Sequence, residues 1–207
     1  MRLVLASNNA AKLAELSTVL APLGVQLLAQ GMLGVTEAEE PHATFIENAL
    51  AKARHAAQAS GLAAVADDSG LVVRALGGLP GVVSSHYAPC ARAPGEDREA
   101  FRARQDAANN AHLLAELASQ ADRAAHFTCV LVAVRHAGDP EPLVASGHWG
   151  GRILQAPQGG GGFGYDPLLG LADGRSAAQL SRDEKNAVSH RAQAAAALVD
   201  LLRARWL

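Results

Sequence analysis

Residues 62–70 of this 207-residue chain read Leu62-Ala63-Ala64-Val65-Ala66-Asp67-Asp68-Ser69-Gly70. A short apolar run of this kind is typical of a strand that is buried on both faces. Two adjacent carboxylates follow it, and α/β sheets collect ligands where buried strands end. Because successive strand side chains point to opposite faces, Asp67 and Asp68 are expected to do different jobs. The periodicity leaves open which of the two faces a site.

Strands and helices alternate on either side of this stretch. Further strands are predicted over 3–6, 25–29, 71–75, 127–134 and 143–149. Helices are predicted over 10–20, from a cap at Thr44 to Gly61, over 96–117, and as one long C-terminal helix from a capping box at Ser181. At least one strand pair, joined through 137–140, is expected to be antiparallel. The pattern predicts an α/β fold with a mixed sheet in a single domain, 1–207.

Two of these helices carry apolar stripes that predict their buried faces. The stripe of the second helix comprises Ile46, Leu50, Ala53 and Ala57. Asn48 and Lys52 are expected on its opposite, solvated face. The stripe of the C-terminal helix comprises Val188, Ala192, Ala195, Val199 and Leu202.

Charge and composition exclude several classes of protein. The formal net charge is −2 and the pI is about 6.4, so the chain lacks the basic footprint of a duplex nucleic-acid binder. No apolar run approaches the roughly 20 residues that span a bilayer. The apolar run near the start is too short for a signal peptide, so a cytoplasmic location is expected. Cys90 and Cys129 lack metal-ligand spacing, and Cys129 is expected to be a reduced core residue.

Polar residues follow the first predicted strand and open the first helix: Ser7, Asn8, Asn9, Ala10, Ala11 and Lys12. A helix N-terminus suits phosphate because of its N–H groups and partial positive charge. Lysine occurs only at 12, 52 and 185, which draws attention to each. The alternative is an ordinary helix cap followed by a surface lysine. The paired aspartates predict an Mg²⁺ site, to which the Glu39-Glu40-Pro41 loop could lend one carboxylate. The alternatives are an Asp-rich turn and a solvated acidic loop.

A glycine-rich loop and a polar helix start complete the candidates. The loop reads Gly159-Gly160-Gly161-Gly162-Phe163-Gly164-Tyr165-Asp166-Pro167. Glycines allow close backbone approach to a ligand, and an aromatic ring stacks on a nucleobase. The helix start carries Lys185, Asn186, Ser189, His190 and Arg191. A flexible hairpin tip and a solvated helix start are the respective alternatives.

Taken in order, these motifs resemble the inosine triphosphate pyrophosphatase family, also called Ham1-like, over nearly the whole chain. The pieces that carry the resemblance are Leu5–Asn9 with Lys12 and Glu15, Thr44–Ala49 with Lys52-Ala53, Ala66–Leu71, Leu76–Gly81, Gly161–Pro167, and Lys185-Asn186 with Ser189-His190-Arg191. Departures from the family's commoner pattern fall at Ser7-Asn8-Asn9, Ala11, Pro41-His42 and Gly160.

The resemblance implies an elongated mixed β-sheet flanked by helices, in two lobes with a central cleft. It implies Mg²⁺-dependent hydrolysis of ITP, dITP and XTP to the monophosphate and pyrophosphate, which clears deaminated purines from the nucleotide pool. It further implies a homodimer. The absence of nucleic-acid and membrane partners is expected from the charge and from the short apolar runs instead.

Residue roles are also implied by matching motif positions. Asp68 resembles the family's general base and a metal ligand, and Glu40 the second metal carboxylate; a share for Asp67 stays open. Phosphate contacts are implied for Ser7, Asn8, Asn9, Ala10, Ala11, Lys12, Lys52 and Lys185. A nucleoside pocket is implied for Ser69, Phe163, Gly164, Tyr165, Asp166, His190 and Arg191. A donor such as Arg191, or loop N–H groups, would bind the purine 6-oxo group and leave an adenine amino group unpaired.

Two other functions are compatible with these residues. One is a Maf-like pyrophosphatase acting on pyrimidine or modified nucleotides. The other is a nucleotide-binding module without turnover.

Overall fold

The computed structural model describes all residues, Met1–Leu207. The strands are β1 (Arg2–Leu5), β2 (Gln26–Ala29), β3 (Ala64–Val73), β4 (Ala124–Val134), β5 (Leu143–Ile153) and β6 (Leu169–Gly170). The helices are α1 (Ala10–Leu20), α2 (Phe45–Ser60), α3 (Arg98–Glu116), α4 (Arg182–Val188) and α5 (His190–Arg205). None of these helices combines the length and apolar character that a bilayer crossing requires.

The strands form one six-stranded sheet in the order β2-β1-β3-β4-β5-β6. β1 is parallel to both β2 and β3, whereas β5 and β6 are antiparallel, so the predicted mixed sheet is confirmed. Leu5 pairs with Val65, and the Ala6 N–H donates to the Val65 carbonyl at 2.8 Å. This register places the polar loop after β1 beside the carboxylates of β3.

β3 differs from the prediction in one important respect. The sequence suggests that the strand ends before Asp67 and that extended structure resumes at Leu71, but β3 runs without a break from Ala64 to Val73. The two aspartates are therefore fixed in the middle of a hydrogen-bonded strand and do not lie on a turn.

The chain divides into two compact units. Unit 1 comprises Met1–Ser69, Cys129–His148 and Val188–Leu207, and unit 2 comprises Gly70–Thr128 and Trp149–Ala187. Each unit has its own apolar core. In unit 1, residues such as Leu3, Leu131 and Leu198 are fully buried, and in unit 2 Leu71, Leu113 and Leu168 are. The prediction of a single domain stays a prediction.

Two helix predictions need correction. The buried face of α2 is rotated from the expected stripe: Ile46 is 50% exposed, whereas Asn48 and Lys52 are buried. The long C-terminal helix is broken into α4 and α5 at Ser189, whose hydroxyl accepts the Ala192 N–H at 3.2 Å and caps α5. Val188, at the end of α4, is accordingly exposed, because it does not belong to the stripe of α5.

Candidate functional site

β3 directs its two aspartates to opposite faces of the sheet, as its period of two predicts. Asp68 contacts Lys52 of α2, whereas Asp67 contacts Lys12 of α1 and Arg191 of α5. All of these residues belong to unit 1. The alternation correctly predicts that the two carboxylates lie on opposite faces, and the structure adds which partners each one has. Different functional roles for the two aspartates stay a prediction.

On the Asp68 face, one ammonium group joins two carboxylates. Lys52 Nζ lies 2.7 Å from Asp68 Oδ1 and 2.7 Å from Glu40 Oε2. Glu40 arrives on the segment before α2. That segment is fixed at His42, whose N–H and carbonyl are both bound by the Asn48 side chain, at 3.0 and 3.2 Å. Pro41-His42 therefore sits in a loop that is tied to the buried face of α2.

Burial and charge shift the pKa values of this trio. Burial raises the pKa of Asp68 to about 6, and the neighbouring Glu40 carboxyl adds to the rise, although Lys52 opposes it. Burial would also raise the pKa of Glu40, but the Lys52 ammonium outweighs it and lowers that pKa. For Lys52, burial is outweighed by Asp68 and Glu40, so its pKa is raised and it stays charged. An acid with a pKa near 6 is mostly ionised at neutral pH and still basic enough to accept a proton.

The same face carries an unused ligand atom. Asp68 Oδ2 is buried and has no hydrogen-bond partner. Buried polar atoms are nearly always paired, so an orphaned carboxylate oxygen beside a second carboxylate fits a hard cation. No group of three or more His, Cys, Asp or Glu side chains is arranged to hold a metal. Asp68 and Glu40 could hold a hard cation as a pair of carboxylate ligands; Mg²⁺ commonly takes its other ligands from water and substrate.

On the opposite face, Asp67 is buried in a network of donors. Oδ1 accepts from Lys12 Nζ at 2.6 Å and from Ser69 Oγ at 2.7 Å, and Oδ2 accepts from Arg191 Nε at 2.7 Å. Burial alone would raise the pKa of Asp67, but Arg191 and Lys12 hold it well below its usual value. A carboxylate this strongly paired is a poor proton acceptor, so of the two adjacent aspartates Asp68 is the one suited to act as a base.

Arg191 is buried, and two of its nitrogens are directed at carboxylates. Besides Asp67, it reaches Glu15 of α1, with Nη1 and Oε2 2.9 Å apart. The family resemblance implies a base-pocket role for Arg191 and for the adjacent His190, which is also buried. The structure places the described contacts of Arg191 in a network that joins α5 to α1 and β3.

The asparagines of the loop after β1 form hydrogen bonds with other groups of the protein. Asn9 caps α1, and its Oδ1 accepts from the N–H groups of Ala11 and Lys12 at 3.0 and 3.3 Å. Because the N–H groups of Ala11 and Lys12 already donate to Asn9, fewer backbone donors remain for an anion at this helix start than the sequence predicts. Asn8 accepts from the Gly31 N–H at 3.0 Å and donates to Glu37 at 3.1 Å. A Cβ at Gly31 would lie 2.6 Å from Asn8 Oδ1, so this contact depends on glycine.

A second cluster of predicted residues lies in unit 2. Asp166 Oδ2 accepts the Phe163 N–H at 2.8 Å and also accepts from the Lys185 ammonium. Lys185 Nζ lies 5.0 Å from the centroid of the Phe163 ring, a cation–π distance. Phe163 is 43% exposed, whereas Tyr165 is 4% exposed and donates its hydroxyl proton to the Ser84 carbonyl. Phe163 is therefore the more exposed of the two rings, and Tyr165 is a core residue.

Sequence reasoning missed two side chains of α3 that bind this loop. Asp106 accepts the Gly164 N–H at 2.8 Å, and Asn110 donates to the Gly164 carbonyl at 3.0 Å. Their spacing of four residues puts them on one helix face, a signal visible in the sequence only once the partner loop is known.

This chain is similar to known proteins over almost its whole length. A model of the Ham1 family matches residues 3–201. A protein of Methylibium petroleiphilum named dITP/XTP pyrophosphatase is 62% identical over 208 residues, covering 100% of both chains. A protein of the same name from Leptothrix cholodnii is 63% identical over 209 residues, covering 100% of this chain and 99% of its own. The structure of a Ham1 protein from Coxiella burnetii superposes with a TM-score of 0.87 at 41% identity, covering 99% of both chains.

Proposed function

This chain belongs to the Ham1 family, and from that premise we propose that it is a nucleoside triphosphate pyrophosphatase that hydrolyses dITP, XTP and ITP to the nucleoside monophosphate and pyrophosphate. The observation that carries the proposal is the Asp68 face of β3, where an acid with a pKa near 6 lies beside Glu40 and Lys52. The names of the high-identity relatives support dITP and XTP as substrates for this chain, and the proposal of ITP extends this to the corresponding ribonucleotide.

The proposed cofactor is Mg²⁺, held by Asp68 and Glu40. When bound, the ion would neutralise charge on the phosphates and orient the attacking water. The orphaned Asp68 Oδ2 supports this assignment, since it is a buried acceptor that the protein itself leaves unsatisfied.

Asp68 supplies the base for the proposed reaction. Water attacks the α-phosphorus, Asp68 accepts its proton, and the bond from that phosphorus to the α–β bridging oxygen breaks. Pyrophosphate is then the leaving group. Positioned proton transfer of this type is typically worth about 10²–10⁴-fold in rate.

The lysines are proposed to bind the triphosphate. Lys12 and Lys52 lie beside Asp67 and Asp68, so their charges are held in place before substrate arrives. Lys185 is held in the same way by Asp166. Preorganised cations of this kind stabilise developing charge without reorganising during the reaction.

Phe163 is proposed to stack on the purine, with Lys185 against the ring, and backbone N–H groups of the loop would bind the 6-oxo group. A contact to the 6-oxo oxygen leaves an adenine amino group without a partner, which would disfavour ATP. A base contact from Arg191 remains part of the proposal. The ion pairs of Arg191 with Asp67 and Glu15 support a second role for this residue, which is to hold Asp67 in position.

The test is a product assay. Purified protein is incubated with MgCl₂ and dITP, XTP, ITP, GTP or ATP, and phosphate and pyrophosphate are quantified separately. Pyrophosphate release that favours dITP, ITP and XTP supports the proposal. Orthophosphate alone, or no preference over ATP, would refute it. Preference for dTTP, UTP or methylated nucleotides would indicate a Maf-like enzyme, and ITP binding that is equal in the wild type and Asp68→Asn without turnover would indicate a binding module.

We also propose that the chain forms a homodimer and acts in the cytoplasm, where the nucleotide pool it would cleanse resides. Light scattering at several protein concentrations tests the dimer. A mass of one chain, 21.3 kDa, throughout would refute it.

A further inference from the structure

One face of α3 binds both backbone polar groups of a single residue, Gly164. Asp106 Oδ2 accepts its N–H at 2.8 Å, and Asn110 Nδ2 donates to its carbonyl at 3.0 Å. Asp106 and Asn110 are one helical turn apart, so a single rigid element determines the orientation of Gly164. All three residues lie in unit 2.

Gly164 joins an anchored side chain to an exposed one. On its C-terminal side, Tyr165 is fixed in the core, with its hydroxyl 2.9 Å from the Ser84 carbonyl. On its N-terminal side lies Phe163, with its partly exposed ring. Gly164 has a φ of +61°, a left-handed conformation that gives the chain a sharp bend between the two rings. Whatever holds Gly164 therefore sets the direction of the Phe163 ring relative to the core.

Asp106 and Asn110, the two residues that hold Gly164, each have a buried polar group in an unfavourable environment. Burial raises the pKa of Asp106, and the nearby Asp166 carboxylate adds to the rise, although the hydrogen bond from the Gly164 N–H partly offsets it. Asn110 Oδ1 is buried without a hydrogen-bond partner. Its neighbour Asn109 contrasts with this, since its amide accepts from the Ala88 N–H at 2.8 Å and donates to the Ser84 carbonyl at 3.1 Å. A half-satisfied amide beside a desolvated acid is unfavourable unless the contacts it does make are needed.

We propose that Asp106 and Asn110 are positioning residues that hold Gly164 so that the Phe163 ring is preorganised for the purine base. The inference rests on the proposed function for its substrate. It goes beyond that function by naming the helix that supports base recognition. Neither residue is assigned to contact the nucleotide.

The clamp is tested first without substrate. In Asp106→Leu, which has a similar branched shape but no acceptor, hydrogen exchange of the Gly164 amide followed by NMR should be at least about tenfold faster. In Asp106→Asn, whose amide oxygen still accepts, exchange should stay within about threefold of the wild type. Glu99→Gln, on an exposed position of the same helix, is the matched control. If Asp106→Leu fails to fold, Asp106→Ala carries the same expectation.

The role in base recognition is tested by kinetics. Asp106→Leu and Asn110→Leu should raise KM for dITP about three- to tenfold with kcat within about twofold, because an ordered platform is lost while the Asp68 chemistry is untouched. Asp106→Asn should restore most of the loss. Unchanged Gly164 exchange in the Leu or Ala variant overturns the clamp, and faster exchange with unchanged KM overturns its role in recognition. A wild type that releases no pyrophosphate from dITP refutes the proposed function instead, and the exchange result still decides the clamp.

Discussion

The Lys52 ammonium donates a 2.7 Å hydrogen bond to Asp68 Oδ1, from a helix position that the apolar pattern had assigned to solvent. Its second contact, to Glu40, makes it a cation shared by two carboxylates. An internal ammonium thus lies at the pair of oxygen ligands proposed for Mg²⁺. We therefore expect Lys52 and the divalent ion to neutralise the same negative charges, those of Asp68 and Glu40.

The first prediction follows from that sharing. Lys52→Met should lower the free energy of unfolding of the metal-free protein by about 1–3 kcal/mol, because two partly buried carboxylates lose their counter-charge. Adding MgCl₂ should stabilise the variant more than the wild type. Urea unfolding with and without MgCl₂ measures both effects. Lys52→Arg keeps the charge and is the control; equal stability of Lys52→Met and the wild type without metal would contradict the prediction.

A second prediction separates catalysis from stability at Asp68. Asp68→Asn should reduce pyrophosphate release at least about 10²-fold, since the amide cannot accept the proton of the attacking water. Thermal stability of the metal-free protein at pH 7 should be retained or increased, because burial disfavours the ionised acid more than Lys52 favours it. Enzyme assays and thermal melts of the same preparations test this. Substantial unfolding of Asp68→Asn would show that the carboxylate is structural.

A third prediction concerns pH and Asp67. Its pKa is held well below that of an unfolded aspartate, about 3.9, so the unfolded chain takes up the proton first as the pH falls. The stabilisation from Asp67 is therefore complete at neutral pH and lost progressively below about pH 4. Asp67→Asn should cost about 3–5 kcal/mol at pH 7, because the buried Arg191 and the adjacent Lys12 both lose the negative charge of Asp67.

Urea unfolding of the wild type and Asp67→Asn between pH 7 and pH 3 measures this dependence. The difference between the two should be constant from pH 7 to about pH 5 and then shrink. Exposed Asp200, replaced by Asn, is a control for the general effect of removing an acid. A difference that stays constant down to pH 3 would rule out an ionised Asp67 as its source.

Much of the fold could be predicted because the capping residues that begin and end the helices agree with the pattern of apolar residues that become buried. Asn9 caps the start of α1, and the helix runs from Ala10 to Leu20 as the sequence predicts. The Thr44 cap and Gly61 likewise bracket α2. The break at Ser189 was missed because α4 and α5 share a continuous helical pattern, and a serine inside it serves equally as a helix residue or as a cap.

For the candidate site, the sequence predicted the placement of some residues on the strands and helices better than it predicted their contacts. Strand alternation correctly separated Asp67 from Asp68. Burial of Lys52 could not be inferred, because a lysine is normally solvated and only the facing carboxylates, distant in sequence, reverse that preference. The contacts of Asp106 and Asn110 were invisible for the same reason, since their partner Gly164 lies more than fifty residues away.

A last prediction isolates the aromatic ring. Phe163→Leu should raise KM for dITP between about fivefold and a hundredfold with little change in kcat, because stacking on a base is worth about 1–3 kcal/mol and acts away from the α-phosphorus. Phe101→Leu is the matched control: that ring also lies under a cation, with the Arg104 guanidinium 5.5 Å from its centroid, yet it has no assigned contact with substrate. Steady-state kinetics on both variants, with thermal melts to verify folding, decide the matter. A fall in kcat with unchanged KM would place Phe163 at the reacting phosphates and not at the base.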